Sequence, residues 1–381
     1  MPATALPTAE QITAALDGVE DPEIHRPITE LGMVKSIEIA PDGSVAVTVW
    51  LTVAGCPMRA EITERVKNAV ADVPGTTAVT VELDVMSADQ RSELSSRLRG
   101  GQAVRDIPFA QPGSLTKVFA VASGKGGVGK SSVTVNLAVA MAELGLAVGV
   151  VDADIYGHSI PRMLGADGRP TQVDTMIMPP SAHGVRVISI GMFTPGNTPV
   201  VWRGPMLHRA LQQFLADVYW GDLDVLLMDL PPGTGDIAIS VAQLVPPAQI
   251  LVVTTPQAAA AEVAERAGTI ALQTHQRIAG VVENMSWLEL PDGTRMEPFG
   301  SGGGAAVAAA LTRAVGAEVP LLGQVPMENE LREGADSGQP LVLSHPGSPA
   351  ATVLRDVAGR LVGQPRGLAG MSLSLTPAGR R

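Results

Sequence analysis

Cysteine is nearly absent from this 381-residue chain, occurring once, at Cys56. A single thiol excludes any disulfide within the chain and fits a reducing cytoplasm. No uninterrupted apolar run reaches the roughly 18 residues a spanning helix needs. The richest stretch, Val133 to Val151, is broken by Asn136 and Glu143. Basic residues are in deficit, 27 Lys plus Arg against 38 Asp plus Glu, for a net charge of -11. That balance argues against a broad footprint on a nucleic-acid backbone and leaves room only for a local basic patch. The opening stretch, Met1 to Glu10, has neither a basic region nor an apolar one, so no secretory signal is expected. The few aromatics and the 15 methionines show no clustering that suggests a cofactor site; core packing is their default. Hydrophobic residues make up 45% of the chain, ample for a large core and incompatible with disorder, and the length leaves room for two or three domains.

The apolar run Val118 to Ala122 feeds directly into Gly124-x-x-x-x-Gly129-Lys130-Ser131. A polyphosphate needs many donors at short range, and Gly124, Gly126, Gly127 and Gly129 let the backbone approach with its N–H groups turned inward. The stretch from Ser132 to Leu144 reads as a helix whose positive end faces the anion. Gly124 to Ser132, including Val128, is therefore expected to hold ATP, with Lys130 on the β and γ phosphates and Ser131 on Mg2+. Lys125 is a second cation in the glycine run, either solvated or reaching a phosphate elsewhere.

Pattern divides the chain. Residues 8–95 read as a small α+β domain: a helix over Thr8 to Leu16, strands over Met33 to Ala40 and Val45 to Val53, a helix over Met58 to Ala71 and a strand near Val79 to Met86. Residues 96–116, with Gly100-Gly101 and Pro108, read as a linker, and 364–381 as a loose tail. Over 117–363, β-rich runs alternate with helical stretches: Val118 to Ala122, Val148 to Asp152, Val185 to Ile190, Val225 to Asp229, Ile250 to Thr254, Ile278 to Glu283 and Leu321 to Val325. The expectation is an α/β domain with a mostly parallel sheet covered by helices on both faces, its ligands at the carboxyl ends of the strands.

Several polar groups fall at those ends. Asp152 and Asp154 follow the second strand, and Asp229, Gly233 and Asp236 follow another. Such carboxylates either cap helices and turns or hold magnesium and orient water. Asn284, in Val281-Val-Glu-Asn-Met-Ser-Trp287, either closes a turn or offers a bidentate amide edge to adenine. Cys56 sits between a strand and a helix N-terminus; it is either a small buried hydrophobe or a thiol inclined to ionise.

Gly124-Lys-Gly-Gly-Val-Gly-Lys-Ser131 resembles the deviant Walker A loop of the MinD/Mrp class of ATPases. The segments Asp152-Ala-Asp154 and Asp229-Leu-Pro-Pro-Gly233 resemble the switch I and Walker B to switch II motifs of the Mrp/ApbC-type iron-sulfur cluster carriers. Asp21-Pro-Glu23 and Thr52-Val-Ala-Gly-Cys-Pro57 resemble the small cluster-assembly domain that precedes the ATPase in many of them. The resemblance implies a nucleotide-sandwich homodimer in which Lys125 reaches the facing subunit's nucleotide. It implies that Asp154 orients water, Asp229 serves Mg2+, Gly233 senses the γ phosphate, Asn284 reads adenine, and Cys56 does metal-sulfur work; Asp152, a carboxylate at a strand end beside the phosphate loop, is expected to hold Mg2+ through water. It implies slow ATP hydrolysis and delivery of clusters to apoproteins in the cytoplasm. One departure is evident: the Cys-Pro-x-Cys pair that often follows Glu-Asn-Met-Ser is replaced by Leu290-Pro-Asp-Gly293. A dimer then supplies two thiolates where a four-iron cluster usually takes four. The competing expectation is a MinD- or ParA-like positioning ATPase, or an adaptor without a cluster; the glycine-rich tail is a poor membrane helix.

Overall fold

The computed structural model describes residues 6–52, 58–98, 107–111, 113–154, 157–166, 168–193, 204–233, 236–257 and 260–363. Two compact units emerge. One is built on Met1–Asp106 together with Gly168–Pro180 and Ala216–Gly221, and the other comprises Ile107–Asp167, Ser181–Leu215 and Asp222–Arg381.

In the smaller unit, α1 (Ala9–Leu16) starts at a reciprocal cap in which Thr8 Oγ1 accepts from the Gln11 N–H and Gln11 Oε1 accepts from the Thr8 N–H. Strands β1 (Val34–Ile39) and β2 (Ser44–Leu51) form an antiparallel pair, α2 (Arg59–Ala71) crosses over, and β3 (Ala78–Val85) pairs parallel with β2. The helix α3 (Ala88–Leu98) follows. Alternation along β2 buries Val45, Val47, Val49 and Leu51, and the four-residue spacing of Ile62, Val66 and Val70 lays one stripe of α2 over the same core. Val173, Met176 and Met178, from an antiparallel ribbon of Thr171–Val173 and Met176–Met178, complete this core. Both segments that join the smaller unit lie within the stretch that the sequence pattern assigns to the larger domain. The ribbon joins it through buried apolar side chains, and Ala216–Gly221 through main-chain hydrogen bonds in which the Ile177 N–H donates to the Asp217 carbonyl and the Tyr219 N–H to the Ile177 carbonyl, both at 2.8 Å.

The larger unit is a parallel sheet of seven strands: β4 (Lys117–Ala122), β5 (Val148–Asp152), β6 (Val185–Ser189), β7 (Val225–Asp229), β8 (Gln249–Thr254), β9 (Ile278–Glu289) and β10 (Leu321–Met327). Their spatial order is β10-β9-β8-β4-β7-β5-β6. Short antiparallel strands at Ser181–Ala182 and Arg295–Met296 flank it. All five residues of β5 and of β7 are buried, as continuous apolar runs in a doubly covered sheet should be. Helices α4 (Lys130–Glu143) and α8 (Pro349–Val362) pack on one face, where Phe119, Val121, Leu251 and Val253 point. On the other, α6 (Ala260–Thr274) and α7 (Gly303–Val315) meet Ile250 and Val252; α5 (Asp236–Leu244) precedes β8.

Connectivity decides where a ligand can sit. From β4 the chain passes through α4 to β5, stepping over β7, while β8 flanks β4 on its other side. This divergence opens a crevice at the carboxyl end of β4. Pairing register sets Asp229 beside Val121 on one side and Asp152 on the other.

Candidate functional site

The loop between β4 and α4 turns through Gly127 and Gly129, both at φ 77, a left-handed conformation that favours glycine. A Cβ on Gly127 would meet nothing within 4 Å, so that side of the loop is open, as a phosphate cradle requires. Gly126 differs from these two. Its φ is not positive, and a Cβ there would stand 3.8 Å from Pro232 Cγ, an ordinary contact, so the nucleotide-free fold alone does not demand glycine at that position. Gly129 caps α4 at its N-terminus and supplies no side-chain partner, leaving first-turn N–H groups for an anion. Ser123 Oγ donates to the Lys125 carbonyl at 3.1 Å, and the Gly233 N–H donates to the Ser123 carbonyl at 2.9 Å. The loop is thereby tied to the segment after β7.

Beneath the loop, Asp229 is fully buried and gathers three partners. Lys130 Nζ lies 2.6 Å from Oδ2, Ser131 Oγ donates to Oδ2 at 2.6 Å, and Thr134 Oγ1 donates to Oδ1 at 2.8 Å. Lys130 is itself 6% exposed, so this is a desolvated ion pair with its oxygens satisfied by hydroxyls. A cation, a hydroxyl and a carboxylate thus meet at one point under a row of main-chain donors.

Asp152, on the next strand, is also fully buried. It accepts from Ser189 Oγ at 3.0 Å and from the main-chain N–H groups of Asp154 and Ile160 at 3.2 and 3.3 Å. Burial, and then the neighbouring Asp229 charge, push its carboxyl up to about 8. Asp154 Oδ1 accepts from the Gly157 N–H at 3.1 Å, closing a short turn. His158 is exposed, as a loop histidine should be. Gly233 adopts φ 93, with nothing within 4 Å of a Cβ there, and Asp236 opens α5.

Two side chains take their partners outside the Asp229 cluster. Asn284 is 1% exposed; its Nδ2 donates to the Val128 carbonyl at 2.9 Å, and its Oδ1 has no hydrogen-bond partner among the described residues. Its amide therefore lies against the underside of the loop. Lys125 Nζ donates to Gln257 Oε1, just past β8. Beside Asn284, buried Glu283 accepts from the Gly304 N–H at 2.5 Å and from Gln324 Nε2 at 2.7 Å, fastening the start of α7.

The segment where the cysteine pair is missing forms an exposed hairpin. The Leu290 N–H donates to the Thr294 carbonyl at 2.9 Å, and Asp292 Oδ1 accepts from the Thr294 N–H at 2.9 Å. Arg295 stacks over the Trp287 ring, 4.5 Å from its centroid. Cys56 lies outside the described residues, as does the tail after 363. Among the described residues, no group of three or more His, Cys, Asp and Glu could hold a metal ion, and no helix is long and apolar enough to cross a membrane.

Sequence reasoning passes over Thr134, Ser189 and Gln257. Thr134 was legible, standing one helical turn after Lys130 on the same face. Ser189 and Gln257 reach the site from strand ends distant in sequence, and nothing local marks them.

Against known proteins, residues 114–362 match the family model described as NUBPL iron-transfer P-loop NTPase. Residues 9–83 match the model for iron-sulfur cluster assembly proteins. The chain is 70% identical to the iron-sulfur cluster carrier protein of Mycobacterium tuberculosis over 97% of each chain. It is 43% identical to the Deinococcus radiodurans protein of that name, over 93% of this chain and 95% of the other. Among solved structures, a nucleotide-binding protein from Archaeoglobus fulgidus in complex with ADP aligns at TM-score 0.54 and 34% identity. That alignment covers 66% of this chain and 96% of the other.

Proposed function

The chain belongs to the iron-transfer P-loop NTPase family, and from that premise we propose that it is an ATP-hydrolysing carrier of iron-sulfur clusters that works as a homodimer. One observation carries the nucleotide part: Lys130, Ser131 and Thr134 converge on buried Asp229 beneath an open glycine loop. With ATP bound, Lys130 leaves Asp229 for the β and γ phosphates, since a polyanion is the stronger partner. Ser131, Asp229 and, through water, Asp152 then suit a magnesium ion, whose part is to neutralise charge on the transferred phosphoryl. Gly124 to Ser132 supply main-chain donors, and the bare Cα of Gly126 serves the close approach of phosphate. Gly233 follows the γ phosphate, and Asp154 orients the attacking water. Lys125 stabilises charge on the nucleotide of the facing subunit. Asn284 shapes the adenine side of the site, by reaching the base or by bracing the loop.

The cluster is cargo. The only thiol available to hold it is Cys56, one per chain, so a dimer offers two and the remaining ligands come from other side chains or from the recipient protein. The carrier receives a cluster, and turnover of ATP, slow on its own, is coupled to release into an apoprotein in the cytoplasm. The absent Cys-Pro-x-Cys pair is what favours a second reading, an ATP-gated adaptor that carries no metal.

Anaerobic reconstitution with iron and sulfide, followed by metal analysis and activation of an apoprotein, separates the two. Stoichiometric iron and sulfide that are lost in Cys56→Ala, and delivered only with Mg-ATP, support the carrier. Failure of the wild-type chain to retain iron contradicts it and leaves the adaptor.

A further inference from the structure

The loop cation Lys125 is held within its own chain. Its Nζ donates to Gln257 Oε1, and among the described residues it has no carboxylate partner. Gln257 stands where it does because β8 pairs with β4 up to Val252 beside Ala122, which brings the end of β8 next to the start of the glycine loop. Just before it Pro256 is buried, and a Cβ on Gly303, at the start of α7, would sit 2.5 Å from the Pro256 carbonyl oxygen, so the chain passes close against that helix start. The lysine is therefore docked on an amide carried just past a strand end. An amide carbonyl is a neutral acceptor, strong enough to localise an ammonium group and weak enough to give it up to phosphate.

We propose that Gln257 is a positioning residue that parks Lys125 in cis, setting the threshold at which Lys125 leaves to engage the nucleotide of a second copy of the chain. The inference rests on the cross-subunit role of Lys125 given above. It predicts opposite effects from two substitutions of similar size. Gln257→Leu removes the acceptor and releases Lys125; Gln257→Glu replaces it with a carboxylate and holds Lys125 harder. A merely structural glutamine would be damaged in the same direction by both.

The test is dimer formation by full-length protein in Mg2+ and a non-hydrolysable ATP analogue, measured by sedimentation across protein concentration. Gln257→Leu should lower the dimer dissociation constant about fivefold and Gln257→Glu raise it about fivefold, the change expected from one modest hydrogen bond. Binding of the analogue to the monomer should stay within about twofold of wild type, since phosphate contacts are untouched. In a Lys125→Ala background the two substitutions should change nothing. Equal-sign shifts, no shifts, or shifts that persist without Lys125 overturn the parking role while leaving the dimer intact. A wild-type chain that stays monomeric at every concentration instead overturns the cross-subunit reading itself.

Discussion

Asn284 and Val128, 156 residues apart, are joined by a hydrogen bond of 2.9 Å from the side-chain amide to the main-chain carbonyl of the glycine loop. The contact also accounts for Gly129, where a Cβ would collide with Asn284 Nδ2. Asn284→Ala leaves the Val128 carbonyl without its buried donor and should cost about 1–3 kcal/mol in urea unfolding without nucleotide. Gly129→Ala should weaken ATP binding through the same collision and through its left-handed backbone. If Asn284→Ala keeps wild-type stability and only loses the preference for ATP over GTP, its work lies at the base and not under the loop.

The two lysines of the loop should separate binding from turnover. Lys130→Ala strips the cation from a buried carboxylate, so the nucleotide-free protein should lose about 3 kcal/mol as well as its ATP affinity. Lys125→Ala should bind Mg-ATP normally and hydrolyse it at least about a hundredfold more slowly. Wild-type turnover by Lys125→Ala, followed by phosphate release, contradicts its role.

Asp152 predicts a pH dependence with a definite sign. Its carboxyl sits near 8 in the folded chain against 3.8 for an ordinary aspartate, so between those values the folded state holds a proton that the unfolded state has released. The resulting stability falls as pH rises from about 4 to about 8. Asp152→Asn carries no ionisable group there, so without nucleotide and magnesium its melting temperature should gain on wild type between about pH 5 and about pH 8. A gap that stays constant across that range rejects the shift.

The smaller unit should not be self-sufficient as residues 1–106. Val173, Met176 and Met178 are at most 3% exposed in its core, and each contributes about 1.5–3 kcal/mol of burial. The fragment should unfold at lower urea than the same unit in the full chain and bind a hydrophobic dye. A fragment as stable as the parent unit shows that the ribbon adds nothing.

The parallel sheet was legible in the sequence because fully buried strands read as unbroken apolar runs; each of the seven runs from Val118 to Val325 is a strand. The glycine loop was legible because its chemistry is contiguous. What the sequence does not display depends on folding over distance. The ribbon at Thr171–Met178 is too short and too mixed in pattern to announce which core it enters. Gln257 and Ser189 meet the site only because β8 and β6 end near it. Asn284 shows the limit from the other side: its position marks it as part of the site, while the face its amide presents is set by packing against Val128.

Everything proposed for this chain begins with nucleotide in the glycine loop, and titration calorimetry of pure protein with Mg-ATP reads that step without an intermediary. The prediction is uptake of about one nucleotide per chain, lost in Lys130→Ala and retained in Lys125→Ala. A wild-type chain that produces no binding heat and no thermal stabilisation with Mg-ATP would contradict it.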